Sequence, residues 1–97
     1  MDLSSCLSKR WLHSHEEDTD EFEVYRPAGY PFPPARGRRG LEFRENGEFV
    51  AVGYGRGDAP EERPGTWRLE SPTRVVAGPA TLDIAYCDDE ILKVRRA

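Results

Sequence analysis

Ninety-seven residues with a net charge of −4 and 37 % apolar side chains make one domain, residues 1–97, whose modest core leaves no room for a second catalytic unit. The acidic balance excludes a general nucleic-acid binder, which needs a basic excess to displace counterions. No apolar run reaches secretory or membrane length, so the expected protein is soluble and cytoplasmic, with neither nucleic acid nor membrane as a partner.

Residues 1–9 form a short N-terminal segment carrying Cys6. Cys6 and Cys87 show no CxxC spacing, and in a cytosolic chain the expectation is two free thiols, with a bridge between the termini as the alternative. From residue 10 onward the apolar period is two. "RWLHSHEE" (10–17), "FEVYR" (22–26), "LEFRE" (41–45), "EFVAVGY" (48–54), "TWRLE" (66–70), "RVVAG" (74–78), "TLDIAYC" (81–87) and "ILKVRR" (91–96) alternate like strands and are divided by Gly, Pro, Asn and Asp clusters. No segment holds a helical period. The predicted fold is all-β: an antiparallel up-and-down meander of about eight short strands, closed into a barrel because open edges are a liability.

On the first strand, alternation places Trp11, His13, His15 and Glu17 on one face and Leu12, Ser14 and Glu16 on the other. Two inward imidazoles can meet one metal or one polar ligand. No third metal ligand stands at a diagnostic spacing, so no metal and no cofactor is expected, and a polar contact ranks above a metal. The simplest reading has one histidine bonding a backbone group or carboxylate inside the barrel mouth and the other meeting solvent. The acids of "EEDTDE" read as an exposed turn built on Asp18 and Thr19. The link 26–40 is too long for a hairpin and reads as a lid, stiffened by prolines. Tyr30 and Phe32 can cover an apolar opening, while Arg36, Arg38 and Arg39 can meet carboxylates. A clamp by Glu16, Glu17 or Asp18 on those arginines outranks a dedicated anion site.

Two hairpins carry register information. A three-residue loop at Glu45-Asn46-Gly47 puts Gly47 at the left-handed bulge position and Phe43 opposite Phe49, whereas a two-residue loop pairs Glu45 with Glu48. A three-residue loop at 88–90 aligns Tyr86 with Leu92 and Ile84 with Val94, gathering Leu82, Ile84, Tyr86, Leu92 and Val94 on one face. "GYGRGD" (53–58) has phosphate-loop glycines without the Gly-Lys-Ser/Thr ending, and its Arg-Gly-Asp tripeptide reads as chance.

Trp11 near the start of the first strand, the "LEFRENGEFV" hairpin, the Gly-x-Trp strand "PGTWRLE" and the paired C-terminal strands together resemble the small bacterial lipocalin-like (calycin-like) domains. The resemblance spans residues 10–96, with Lys9-Arg10-Trp11 standing where the lipocalin signature has Gly-x-Trp. It implies an up-and-down barrel closed at one end and, in larger relatives, open to a small ligand at the other. The function expected first is therefore small-molecule binding, of a polar or anionic ligand, by His13, His15, Glu17, Tyr25, Arg36, Arg38, Tyr54 and Trp67. Second is a protein-interaction or inhibitor module that uses the lid and the 55–64 loop on a solid barrel. Third is a small enzyme with a histidine base oriented by Glu17.

Overall fold

The structure, a computed structural model, describes residues 3–34, 38–54 and 60–95. A short helix α1 (Leu3–Leu7) precedes β1 (Arg10–His13), a 3-10 turn (His15–Glu17), β2 (Phe22–Pro27), β3 (Gly40–Phe43), β4 (Glu48–Tyr54), β5 (Pro60–Leu69), β6 (Arg74–Ala77), β7 (Ala80–Cys87) and β8 (Leu92–Arg95). The eight strands pair antiparallel and close into the expected barrel in the order β1-β2-β8-β7-β6-β5-β4-β3. Among the described residues no helix is long and apolar enough to cross a membrane.

The order explains the long link. β1 pairs with β2 on one side and with β3 on the other, antiparallel to both, so β2 and β3 run parallel to each other. Parallel strands cannot be joined by a tight hairpin. The chain must travel back past β1 before β3 can begin, and the strap after β2 is the segment that does so. Where it re-enters the sheet, Gly40 lies opposite Leu12. A Cβ there would stand 2.7 Å from the Trp11 carbonyl oxygen, so only glycine lets β3 approach β1 this closely.

The β3–β4 hairpin has the expected register. Phe43 faces Phe49, Gly47 takes φ +90°, and its N–H donates to the Arg44 carbonyl. The β7–β8 hairpin departs from expectation. Ile84 does face Val94, but an irregularity between Ile84 and Tyr86 sets Tyr86 against Lys93 and Cys87 against Leu92. One extra residue in β7 flips every side chain beyond it. Tyr86 is thereby turned outward, 50 % exposed, and Cys87 packs against the core in its place. β5 is also longer than expected. Its pairing with β4 runs from Tyr54 opposite Pro60 to Glu48 opposite Thr66, so residues 60–64 of the expected loop are strand, and 55–59 lie outside the described residues.

The interior of an eight-stranded barrel is just wide enough for side chains to fill. Here Trp11, Tyr25, Phe43, Phe49, Val75, Ile84, Leu92 and Val94 form one contiguous core with Leu7 of α1. Trp11 and Leu7 are fully buried, and the Trp11 indole N–H donates to the Leu7 carbonyl at 3.1 Å, which satisfies its one polar atom. The free-thiol expectation is corrected at this end. Cys6 of α1 and Cys87 of β7 form a disulfide across 81 residues of sequence, with Cα atoms 6.3 Å apart. Folding of α1 back onto β7 creates that proximity, and no local spacing encodes it.

Candidate functional site

β1 ends at His13, and there the alternation inferred for "WLHSHEEDT" stops. The Ser14 N–H donates to the Val24 carbonyl and the chain then turns through the 3-10 segment. His13 stays inward and buried while His15 is exposed. The two rings remain neighbours, with centroids 6.1 Å apart, but they do not face one interior point. Ser14, assigned to the outer face, is buried instead. Its hydroxyl donates to Glu17 at 2.7 Å.

His13 is held on both ring nitrogens. Nε2 lies 2.8 Å from Asp18 Oδ2 and Nδ1 lies 3.3 Å from Arg39 Nη2. A guanidinium can only donate, so Nδ1 accepts and Nε2 carries the proton to Asp18. Asp18 is more than turn chemistry. Its other oxygen accepts the Val24 N–H at 2.8 Å, which fixes the carboxylate against β2. Arg39 also donates to Glu23 at 3.0 Å. Tyr25, opposite His13 on β2, sets its ring 5.2 Å from the imidazole. Burial, reinforced by the negative Glu23, pushes the Tyr25 hydroxyl up to about 12.

Two further carboxylates of the turn are taken by arginines. Arg38 grips Glu16 with both terminal nitrogens, at 2.8 and 2.6 Å. It also donates to the carbonyls of His13 and Pro33 and lies 4.5 Å over the Phe32 ring. Arg26 grips Glu17 in the same two-pronged way, at 2.9 and 2.7 Å. The fork geometry matches a carboxylate, which makes these pairs directional as well as charged. The guanidinium of Arg38 holds the Glu16 carboxyl down at about 2, and that of Arg26 does the same for Glu17. The strap is thus anchored at Arg38 and at the end of β2.

Beside the second anchor lies a cavity of about 350 Å³ lined by Arg26, Pro27, Gly29, Tyr30 and Glu90, between the strap and the tip of the β7–β8 hairpin. The Arg26 guanidinium stacks 4.9 Å from the centre of the Tyr30 ring and donates to the Glu90 carbonyl at 3.0 Å. Three of its five N–H groups are therefore spent on Glu17 and Glu90, leaving two without a hydrogen-bond partner among the described residues.

Of the residues expected to bind a ligand, His13, His15 and Tyr25 are brought together. Glu17 pairs with Arg26 and Arg38 with Glu16. Trp67 is not part of this group. The register places it at the opposite end of the barrel, beside the Gly47 turn, where its ring meets Phe43 at 5.2 Å and its indole N–H donates to the Arg44 carbonyl. Arg36 and the side chain of Tyr54 lie outside the described residues. The carboxylate that orients His13 is Asp18 rather than Glu17. Sequence reasoning missed the Arg26, Tyr30 and Glu90 cavity and the partnership of Glu23. For the cavity, the signal was the Arg-Pro-x-Gly-Tyr run, residues 26–30, that ends β2 and turns out of it. Comparison with known protein families, with curated proteins and with solved structures finds no match to this chain.

Proposed function

We propose that the protein is a small-molecule binding module whose ligand sits outside the barrel, in the cavity between the strap and the β7–β8 hairpin. The observation that carries this reading is the cavity itself. Its volume of about 350 Å³ falls within the roughly 300–1,000 Å³ typical of ligand sites, whereas the barrel interior is occupied by aromatic and aliphatic side chains. Pro27 and Tyr30 offer an apolar wall, and Arg26 offers two unspent donors on a guanidinium that Glu17 and Glu90 hold in place. A ligand suited to this site pairs a flat apolar body with a hydrogen-bond acceptor, such as an aromatic amide or carboxylate. The resemblance to lipocalin-like domains, carried by the barrel and by the short motifs around Trp11 and Trp67, favours a binding role.

The test is a melting-temperature screen with benzamide and benzoate. Stabilisation of the wild type that disappears in Tyr30→Ala supports the reading. Equal stabilisation of both proteins contradicts it. A second reading, a protein-interaction module on a solid barrel, is favoured by the filled interior, and it gains if neither probe stabilises the wild type. Cytoplasmic residence, the sequence-based expectation, is tested by the Cys6–Cys87 pair. A chain isolated with the bridge intact belongs to an oxidising compartment, and one isolated reduced to the cytosol.

A further inference from the structure

The geometry points to a divalent transition-metal site at the His13 end of the barrel, with His13, Asp18 and Glu23 as ligands. It is separate from the proposed small-molecule cavity and does not depend on it. The ligand atoms of the three residues all lie within 4.8 Å of one another. Nε2 of His13 is 2.8 Å from Asp18 Oδ2 and 4.0 Å from Glu23 Oε2. Two ligands bound at roughly 2.1 Å to a four-coordinate ion are about 3.4 Å apart, so each of the two His13 distances needs to move by only about 0.6 Å, and the carboxylate–carboxylate distance, at most 4.8 Å, by no more than about 1.4 Å. The three residues come from the end of β1, the turn and the start of β2, and the β1–β2 pairing fixes their approach.

The surroundings resemble an outer shell. The backbone N–H of Val24 holds the far oxygen of Asp18, as a second-shell donor orients a ligating carboxylate. The imidazole is buried with its Nε2 aimed at both acids. One nitrogen and two carboxylate oxygens suit zinc-class ions better than magnesium, because the imidazole prefers the softer cation.

Arg39 is the competitor. Its guanidinium donates to Glu23 and to His13 Nδ1 and so supplies the positive charge a metal would bring. A metal on Nε2 sends the imidazole proton to Nδ1, where it would meet the donor face of Arg39. Arg39 must then turn away, which its 61 % exposed side chain can do. Metal and Arg39 are therefore alternative occupants of one anionic niche.

The experiment is calorimetric titration of the whole, chelator-treated chain, disulfide intact, with Zn²⁺ alone and then with Mg²⁺ alone. One Zn²⁺ per chain is expected, with Mg²⁺ weaker. His13→Ala and Asp18→Asn should each weaken Zn²⁺ by 10-fold or more, Arg39→Ala should tighten it, and His15→Ala should leave it within about 2-fold. Circular dichroism checks that each variant keeps its sheet, and Glu23→Gln replaces His13→Ala if the latter fails to fold. Absence of stoichiometric Zn²⁺ binding overturns the proposal. So does retention of wild-type affinity in the folded ligand variants, or a loss that follows His15 instead.

Discussion

The two ends of the barrel are built from different physics. At the α1 end, Leu7 and Trp11 are fully buried, Phe43 packs against Phe49 and meets Trp67 edge to face, and a covalent bridge ties Cys6 to Cys87. At the His13 end, cohesion comes from charged groups: the ion pairs of Glu16 with Arg38 and Glu23 with Arg39, and the hydrogen bond of His13 to the Asp18 carboxylate. Apolar burial does not titrate and is not screened, while partly exposed ion pairs depend on both pH and ionic strength. The first end sets whether the chain folds. The second fixes where the strap returns toward β1, through Arg38 and Glu16, and its charged groups are the ones the proposed metal ion would compete for.

Perturbations of graded size should separate the two. The largest effect is expected from Trp11→Ala, which empties the core beneath α1 and should cost about 3–5 kcal/mol in denaturant unfolding. A loss confined to the His13 end would break the contrast. Removing the bridge with Cys6→Ala and Cys87→Ala should cost about 2–5 kcal/mol, visible as a lower melting temperature, with the His13 and Asp18 resonances unchanged. Arg38→Ala should cost about 2 kcal/mol, because the carbonyls of His13 and Pro33 lose their donor along with Glu16. Limited proteolysis should then cut the strap before the barrel unfolds.

The smallest effect is that of acid. The carboxyls of Glu16 and Glu17 are both held near 2 from an ordinary value of 4.5. A depressed folded-state value means that the stabilisation is complete above about 4.5 and fades as pH falls toward 2. Strap protection against protease should fade over that window, while the far-ultraviolet sheet signal holds. Loss of strap protection on raising the pH above neutrality would have the wrong sign for this account.

The division also governs what the amino-acid sequence made legible. Alternation of Val, Ile and aromatic residues located all eight strands, because burying one face of a strand imposes a period of two. Gly47 announced its turn, since only a residue tolerant of positive φ completes that bulge. The irregularity after Ile84 left no such mark: Ala85 and Tyr86 are ordinary strand residues, and only the final pairing shows that Tyr86 faces outward. The five-residue α1 was too short for a helical period, and its bridge to Cys87 joins opposite ends of the chain. At the His13 end, a clamp of the turn acids on the strap arginines was foreseeable from charge. Which acid took which arginine was set by the topology that wedges β1 between β2 and β3, and that arrangement is non-local. Alternation alone put His15 on the inner face, but the strand stops at His13, which leaves one histidine on a carboxylate and the other in solvent, as the simplest reading of the pair had it.

The central claim is that this barrel is filled and binds on its outside, against the strap. Amide chemical-shift mapping of the isotope-labelled chain titrated with benzamide tests it directly. Saturable shifts centred on Arg26, Gly29, Tyr30 and Glu90, with Phe43 and the Trp67 indole unmoved, are the predicted result. Shifts centred on Phe43 and Trp67 would place the ligand in the interior and contradict the account.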